Sequence, residues 1–314
     1  KTPPSQPKPE TERLFELITG VINFLKQNMQ KFNLSKRMSA VADLVPRGVS
    51  VCDIGCDHGF VAIYLVQKRI CPKVIAMDIN RGPLSRAREH IESTGLSSYI
   101  ETRLSDGMEK LNTGEAECII AAGMGGRLIV KILEDYPEKR NSLRYMVLQP
   151  QSEPGSVRKY LRENGLMIRK EDMVLEDGKF YPMMLAEGKA SGAESTIYDS
   201  TEKMGDKMRF SGRKQKDSGM EAAYLESLED EFGPCLIGDK HPVLAQYLDW
   251  WERQQNRILK EVSAYPERRT QVEEEIRRIR DVRGLVCGGS AYAEPENSIG
   301  TDKVCTGSTY AELE

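Results

Sequence analysis

Between Val49 and Gly188, short apolar runs alternate with stretches whose apolar residues recur at helical spacing, and this alternation leaves few folds open. Val49–Ile54 reads as a strand and Phe60–Lys68 as a helix. "KVIAMDI" (73–79) is a second strand, followed by "PLSRAREHIEST", a helix opened by Pro83 and closed by Gly95. "YIETRL", "ECIIAA" and "RYMVLQP" supply the next three strands, and "GRLIVKILEDY" and "SEPGSVRKYLRENG" the later helices. "LMIRKEDMVLEDGKFYPMMLAEG" then reads as two strands joined by an Asp177-Gly178 turn. Alternation of this kind implies an α/β fold, a Rossmann-like parallel sheet that here ends in an antiparallel hairpin.

The remaining segments are simpler. Residues 1–33 are expected to be a partly disordered extension, proline-rich at first and then helically spaced over Leu14–Phe32. "LSKRMSAVADLV" (34–45) is a short amphipathic helix that opens the main domain, residues 34–189. Residues 190–219 are polar and rich in glycine and serine, a flexible insertion. Residues 220–285 carry two charged helical runs. Leu244, Leu248, Trp251, Ile258 and Val262 face Val272, Ile276, Ile279 and Val282, the pattern of a coiled-coil-like helical hairpin. Residues 286–314 lack periodicity and are expected to be disordered.

Charge and cysteine usage narrow the function class. The net charge is −3, yet residues 1–189 hold 28 basic against 24 acidic side chains and the remainder 17 against 24. A polyanion would therefore meet the first part more readily. Seven scattered cysteines without paired spacing imply reduced thiols in a cytoplasmic protein, with no zinc site. No apolar run reaches the roughly 18 residues of a membrane span. The opening residues do not form a signal peptide, and a start on Lys1 implies a trimmed or partial chain.

The chemistry concentrates at strand ends. "DIGCDHGF" places Asp53, Gly55, Asp57 and Gly59 between the first strand and its helix. A dinucleotide loop aims a helix N-terminus at a pyrophosphate, which Asp53 and Asp57 would repel. S-adenosylmethionine carries no phosphate and has a cationic amino group and sulfonium, so acids here favour it. Asp78, 19 residues past Gly59, is placed to hold ribose hydroxyls. "SDGME" places Asp106, Gly107 and Met108 to touch an adenine edge and face. "AAGMGGRL" puts Gly123, Gly125 and Gly126 where an acceptor would sit, and the three glycines suggest backbone held close to a planar substrate. With the terminal hairpin, this order fits the methyltransferase variant of the Rossmann plan better than a dehydrogenase. The Asn-Pro-Pro-Tyr signature of exocyclic-amine methylation and a Pro-Cys nucleophile are both absent.

"LSKRM", "DIGCDHGF", "AAGMGGRLI" and "LQPQ", followed by a charged helical hairpin, together resemble the bacterial tRNA (adenine-22 N1)-methyltransferase family, mainly over residues 34–188. Phe60 stands where that family commonly has Tyr, so it is given a stacking or packing role only. The resemblance implies an S-adenosylmethionine-dependent enzyme acting on tRNA. Alternatives are a methyltransferase for another RNA or a small molecule, and a non-catalytic RNA-binding protein. The expected cofactor residues are Asp53, Gly55, Cys56, Asp57, Gly59, Asp78, Ile79, Asp106, Gly107, Ala122 and Gly123. Asp57, His58, Gly123 and Met124 are expected at the reacting centre, with Asp57 also serving to cap the following helix. Lys36, Arg37, Arg127, Arg277 and Arg278 are the expected RNA contacts, with Arg158, Lys159 and Arg162 weaker candidates. No metal or membrane partner is expected, and the oligomeric state is open.

Overall fold

In a computed structural model, described here for residues 34–191, 218–262 and 264–287, the alternation becomes a seven-stranded sheet in the order β3-β2-β1-β4-β5-β7-β6. The strands are β1 (Val51–Ile54), β2 (Val74–Asp78), β3 (Ile100–Leu104), β4 (Cys118–Gly125), β5 (Tyr145–Ser152), β6 (Met167–Glu176) and β7 (Lys179–Glu187). The first five pair in parallel, and β7 pairs antiparallel with both β5 and β6. Asp177 and Gly178 both have positive φ (49° and 73°), as the expected two-residue hairpin turn requires.

β1 and β2 are buried along their whole length because helices cover both faces of the sheet. Their side chains, like those of β4 and β5, divide by the two-residue period. Val51, Ile120 and Val147 join one core with α1 (Lys36–Asp43), α2 (Phe60–Gln67) and α3 (Arg81–Ser93). Cys52, Ile119 and Leu148 join the other with α4 (Gly126–Asp135) and α6 (Pro154–Glu163), and α5 (Pro137–Ser142) is a short helix that the sequence pattern did not reveal.

A third core lies in the helical part. It contains the expected hairpin, α9 (Pro242–Glu261) and α10 (Pro266–Cys287), but two further helices precede it, α7 (Ser218–Phe232) and α8 (Pro234–Gly238). Leu228, Phe232, Leu236 and Leu244 pack with Ile279 and Val282. The helix also runs past the expected end at 285. Val286 is buried in this core, and its packing carries α10 through Gly284. The extension 1–33 and nearly all of the insertion and tail lie outside the described residues.

The helical part is joined to the sheet by a buried ion pair. Arg158 Nε of α6 donates to Glu171 Oε1 of β6 at 2.7 Å, with both side chains fully or almost fully buried. Arg158 also donates to the carbonyls of Asp230 and Glu231 near the end of α7, while Glu171 Oε2 accepts from the Cys235 amide. Gly233 is required at this joint: its φ is 98°, and a Cβ would lie 2.7 Å from the Glu171 carboxylate. Arg162 pairs with Asp230 at 2.7 Å and with Glu226 at 3.2 Å, and Lys159 lies 3.9 Å from Glu163. Arg158 is therefore buried in the joint, out of reach of a phosphate, and Arg162 pairs with acids at the same joint, in keeping with their being only weaker candidates for phosphate contact.

Breaking a buried pair leaves an uncompensated charge. Glu171→Ala should lower unfolding free energy by ~3–5 kcal/mol in urea melts followed by circular dichroism. A loss within experimental error would show that the joint is not energetically coupled to the fold.

Candidate active site

The sheet order reverses between β1 and β4, and open α/β sheets place ligands at the strand ends flanking such a point. β1 leads into Gly55 (φ 71°) and Cys56, whose amides both donate to the Met77 carbonyl and so pin the loop to β2. Gly59 (φ 74°) opens α2, and a Cβ there would stand 3.1 Å from the Ala87 Cβ of α3. Asp57 has φ 47°, a left-handed conformation that Asp tolerates better than most residues. Its carboxylate is 72% exposed and 3.6 Å from His58 Nε2. The expected helix cap does not form, because Gly59 takes the N-cap position and no side chain bonds there.

His58 is held by rings. It stacks on Phe60 with centroids 5.4 Å apart, and Phe60 stacks on His90 at 4.9 Å. His90 Nδ1 donates to the His58 carbonyl at 2.9 Å. Phe60 thus packs and stacks, as its lack of a hydroxyl implied.

Two carboxylates lie beneath this loop. Asp53 is buried, and its Oδ2 has no hydrogen-bond partner among the described residues. Burial, and secondarily the neighbouring Asp78, push its carboxyl up to about 7. Asp78 is also buried, and one of its oxygens accepts from the Asn80 amide at 2.7 Å. Ile79 next to it is 59% exposed, an apolar surface beside the acids. Asp106 is exposed, while Gly107 (φ 51°) backs onto Ile132. Met108 departs from expectation: it is fully buried in the core with Leu111 and Ile132, so its side chain cannot face a ligand. The buried Cys56 thiol is pushed far up by burial and nearby acids, which makes it a lining group and not a nucleophile.

Across the cleft, β4 continues further than the sequence implied, through Gly125, with register shifts around Met124. Gly123 (φ 77°) is exposed, and its amide donates to Gln149 Oε1 at 3.1 Å. The same oxygen accepts from Arg37 at 2.8 Å, and Gln149 itself is completely buried. Ser35 caps α1 by accepting from the Met38 amide, which sets Arg37 in the first turn. The Arg37 amide donates to Glu176, and its guanidinium lies 5.1 Å from the centre of the Tyr181 ring. Gly126 serves packing, since a Cβ would come within 2.6 Å of the Glu153 carbonyl oxygen. Ala122 is partly buried, and Met124 meets the donor loop, its Cε 2.5 Å from where a Gly55 Cβ would stand. Gln149, Glu176 and Tyr181 were missed from sequence. The signal available was Gln149 itself, a glutamine in a largely apolar strand and part of the "LQPQ" run.

The expected RNA contacts separate. Arg37 borders the cleft, Lys36 reaches the Leu175 carbonyl, and Arg127 is 85% exposed while paired with Glu153. Arg277 and Arg278 lie on α10, which packs on α7, α8 and α9. Arg278 is engaged by Glu231 and Ser227, and Arg277 by Glu274.

Among the described residues no group of three His, Cys, Asp or Glu side chains is arranged to hold a metal, and no helix is long and apolar enough to cross a membrane. The acid-lined side suits a cationic ligand: Asp53 Oδ2 has no hydrogen-bond partner among the described residues, and a phosphate would meet two buried carboxylates.

Asp53 also predicts a pH dependence. Its folded-state value of about 7 lies above the ordinary 3.8, so the folded chain keeps this proton longer than the unfolded chain. Its contribution to stability therefore falls as pH rises from about 4 to about 7, by up to ~1.4 kcal/mol per unit. Without ligand, Asp53→Asn should unfold at higher urea than the parent at pH 8 and lose most of that gain at pH 5. The same pH slope in both proteins would contradict this assignment.

A methyltransferase-domain family model matches residues 34–184. The chain is 36% identical over 171 residues to the Bacillus subtilis tRNA (adenine(22)-N(1))-methyltransferase, covering 54% of this chain and 71% of the relative. It superposes on the crystal structure of the B. subtilis m1A22 tRNA methyltransferase with a TM-score of 0.64 and 26% identity, covering 81% of this chain and 100% of that one. A Streptococcus pneumoniae protein, described as a candidate tRNA (m1A22) methyltransferase and solved with S-adenosyl-L-methionine, gives a TM-score of 0.63 at 27% identity, covering 80% and 100%.

Proposed function

The chain belongs to the tRNA (adenine(22)-N(1))-methyltransferase family, and from that premise we propose that it methylates N1 of adenine 22 in tRNA with S-adenosylmethionine as donor. The observation that carries this reading is the pairing of two buried acids at adjacent strand ends, Asp53 and Asp78, with a Gly123 turn fixed by Gln149 and Arg37. Such an enzyme works where tRNA is, in the cytoplasm.

When bound, the cofactor supplies a methyl group on a cationic sulfonium. Asp78 takes the ribose hydroxyls, Asp53 and Asp57 favour the cationic end, and Ile79 with the Asp106–Gly107 backbone borders the adenine. Gly55, Cys56, Gly59 and Ala122 line the pocket wall.

Adenine N1 is a neutral lone pair at pH 7, so no strong base is needed to make it nucleophilic. The protein's task is orientation, which can lower a barrier by ~7–11 kcal/mol. The target base must leave its stack. Gly123 and Met124 border its place in the cleft, and the Gln149 contact holds the Gly123 backbone and the Arg37 guanidinium in register. Methylation leaves positive charge on the ring, and the exposed Asp57 carboxylate beside His58 supports a role for it in stabilising that charge.

Labelled donor should transfer methyl to an unmodified tRNA transcript, and a transcript with guanosine at position 22 should accept none. Lack of incorporation into the first transcript would overturn the reading. Gln149→Leu should lower kcat about tenfold to a hundredfold, the cost of a lost charge-assisted hydrogen bond, with donor affinity unchanged. Asp57→Asn should reduce turnover or donor affinity, and full retention of both would remove Asp57 from the site.

A further inference from the structure

The arginines of α10 are mostly neutralised within the protein, whereas one face of α9 is not. Arg280 and Arg283 of α10 take up Glu252 and Asp249, two of the three acids on α9. That leaves Arg253, Arg257 and Lys260, all exposed and without an ion pair to any described residue, against the single acid Glu261. Steps of three, four and three residues from Trp250 put these cations on one helical face, a strip about 15 Å long.

Trp250 heads the strip and is 41% exposed, although large aromatic side chains usually bury. It leans on Phe180 of β7, with ring centroids 5.7 Å apart, and on Tyr247 at 6.0 Å. The position of Phe180 ties the strip to the active site. Met184 of β7 pairs with Leu148 of β5, and Phe180 lies four residues nearer the hairpin turn. Because β7 runs opposite to β5, Phe180 sits level with Ser152 at the C-terminal end of β5, on the rim that carries Gly123. Tyr181, the next residue, carries Arg37 over its ring.

We propose that the outer face of α9, Trp250 followed by Arg253, Arg257 and Lys260, is a tRNA-docking surface. Trp250 stacks on an unpaired base and the three cations take successive backbone phosphates. An exposed indole continuous with unpaired cations matches what single-stranded RNA offers, a stackable face beside a charged chain. The proposal rests on the tRNA reading above. It moves the RNA grip of the helical part from Arg277 and Arg278 to the opposite helix of the hairpin.

The test uses the full chain and an unmodified tRNA transcript, with binding followed by fluorescence anisotropy across a salt series and methyl transfer measured alongside. Arg253→Gln/Arg257→Gln should weaken tRNA binding about tenfold or more and flatten the salt dependence by about two phosphate contacts, with S-adenosylmethionine affinity unchanged. Trp250→Ala should weaken tRNA binding at least about fivefold while retaining the salt slope. Arg269→Gln, which breaks only the pair with Glu273 on α10, should stay within about twofold of the parent. Parent-like affinity and salt slope in the Arg253/Arg257 variant, with the parent protein still methylating tRNA, would overturn the α9 surface alone. A parent protein that neither binds nor methylates tRNA would overturn both readings.

Discussion

The pair of Arg158 and Glu171 is the fully buried ion pair among the contacts that join the sheet domain to the helical part. Taking two charges out of water costs several kcal/mol per ion, so the pair persists only because both groups are bonded further. Arg158 holds two carbonyls near the end of α7, and Glu171 holds the first amides of α8. Arg158 thus ties α6 to α7, and Glu171 ties β6 to α8. α9 is held to the sheet directly as well, by its N-cap residue His241, 3.0 Å from Asp172 of β6, and by Tyr247 and Trp250 against Phe180 of β7.

At the other side of the sheet the logic is reversed, because there the buried charge is left uncompensated. Asp53 and Asp78 close the ends of adjacent strands, and among the described residues one Asp53 oxygen has no partner. A fold tolerates such a pair where a cationic ligand relieves it, and pre-organised acids are the more effective for being partly desolvated. The acceptor side contrasts in kind. Gln149 spends one oxygen on both Arg37 and the Gly123 amide, so a neutral buried amide couples the first helix to the Gly123 turn.

Much of the architecture was legible because it follows from local periodicity. The β1–β5 alternation, the Asp177-Gly178 hairpin and the seam between α9 and α10 all come from patterns of two, three or four residues. The helices α7 and α8 were not legible. α7 begins in a polar segment, and its burial depends on Arg158 and on the distant α10. Met108 was misread for a related reason: the strand-end position marked a ligand loop, but its side chain turned into the core.

The sequence by itself determined the doubly wound sheet, the acid-bearing glycine loop and the choice of a cationic donor over a pyrophosphate, since these depend on residue type and near-neighbour spacing. Only the tertiary structure decided which charges are free. Ion pairing joins residues far apart in sequence, and it consumed Arg158, Arg278, Arg280 and Arg283 while leaving Arg253, Arg257 and Lys260 exposed. It also decided that Gln149, given no role by its place in the "LQPQ" run, is the group that sets Arg37 against the Gly123 turn.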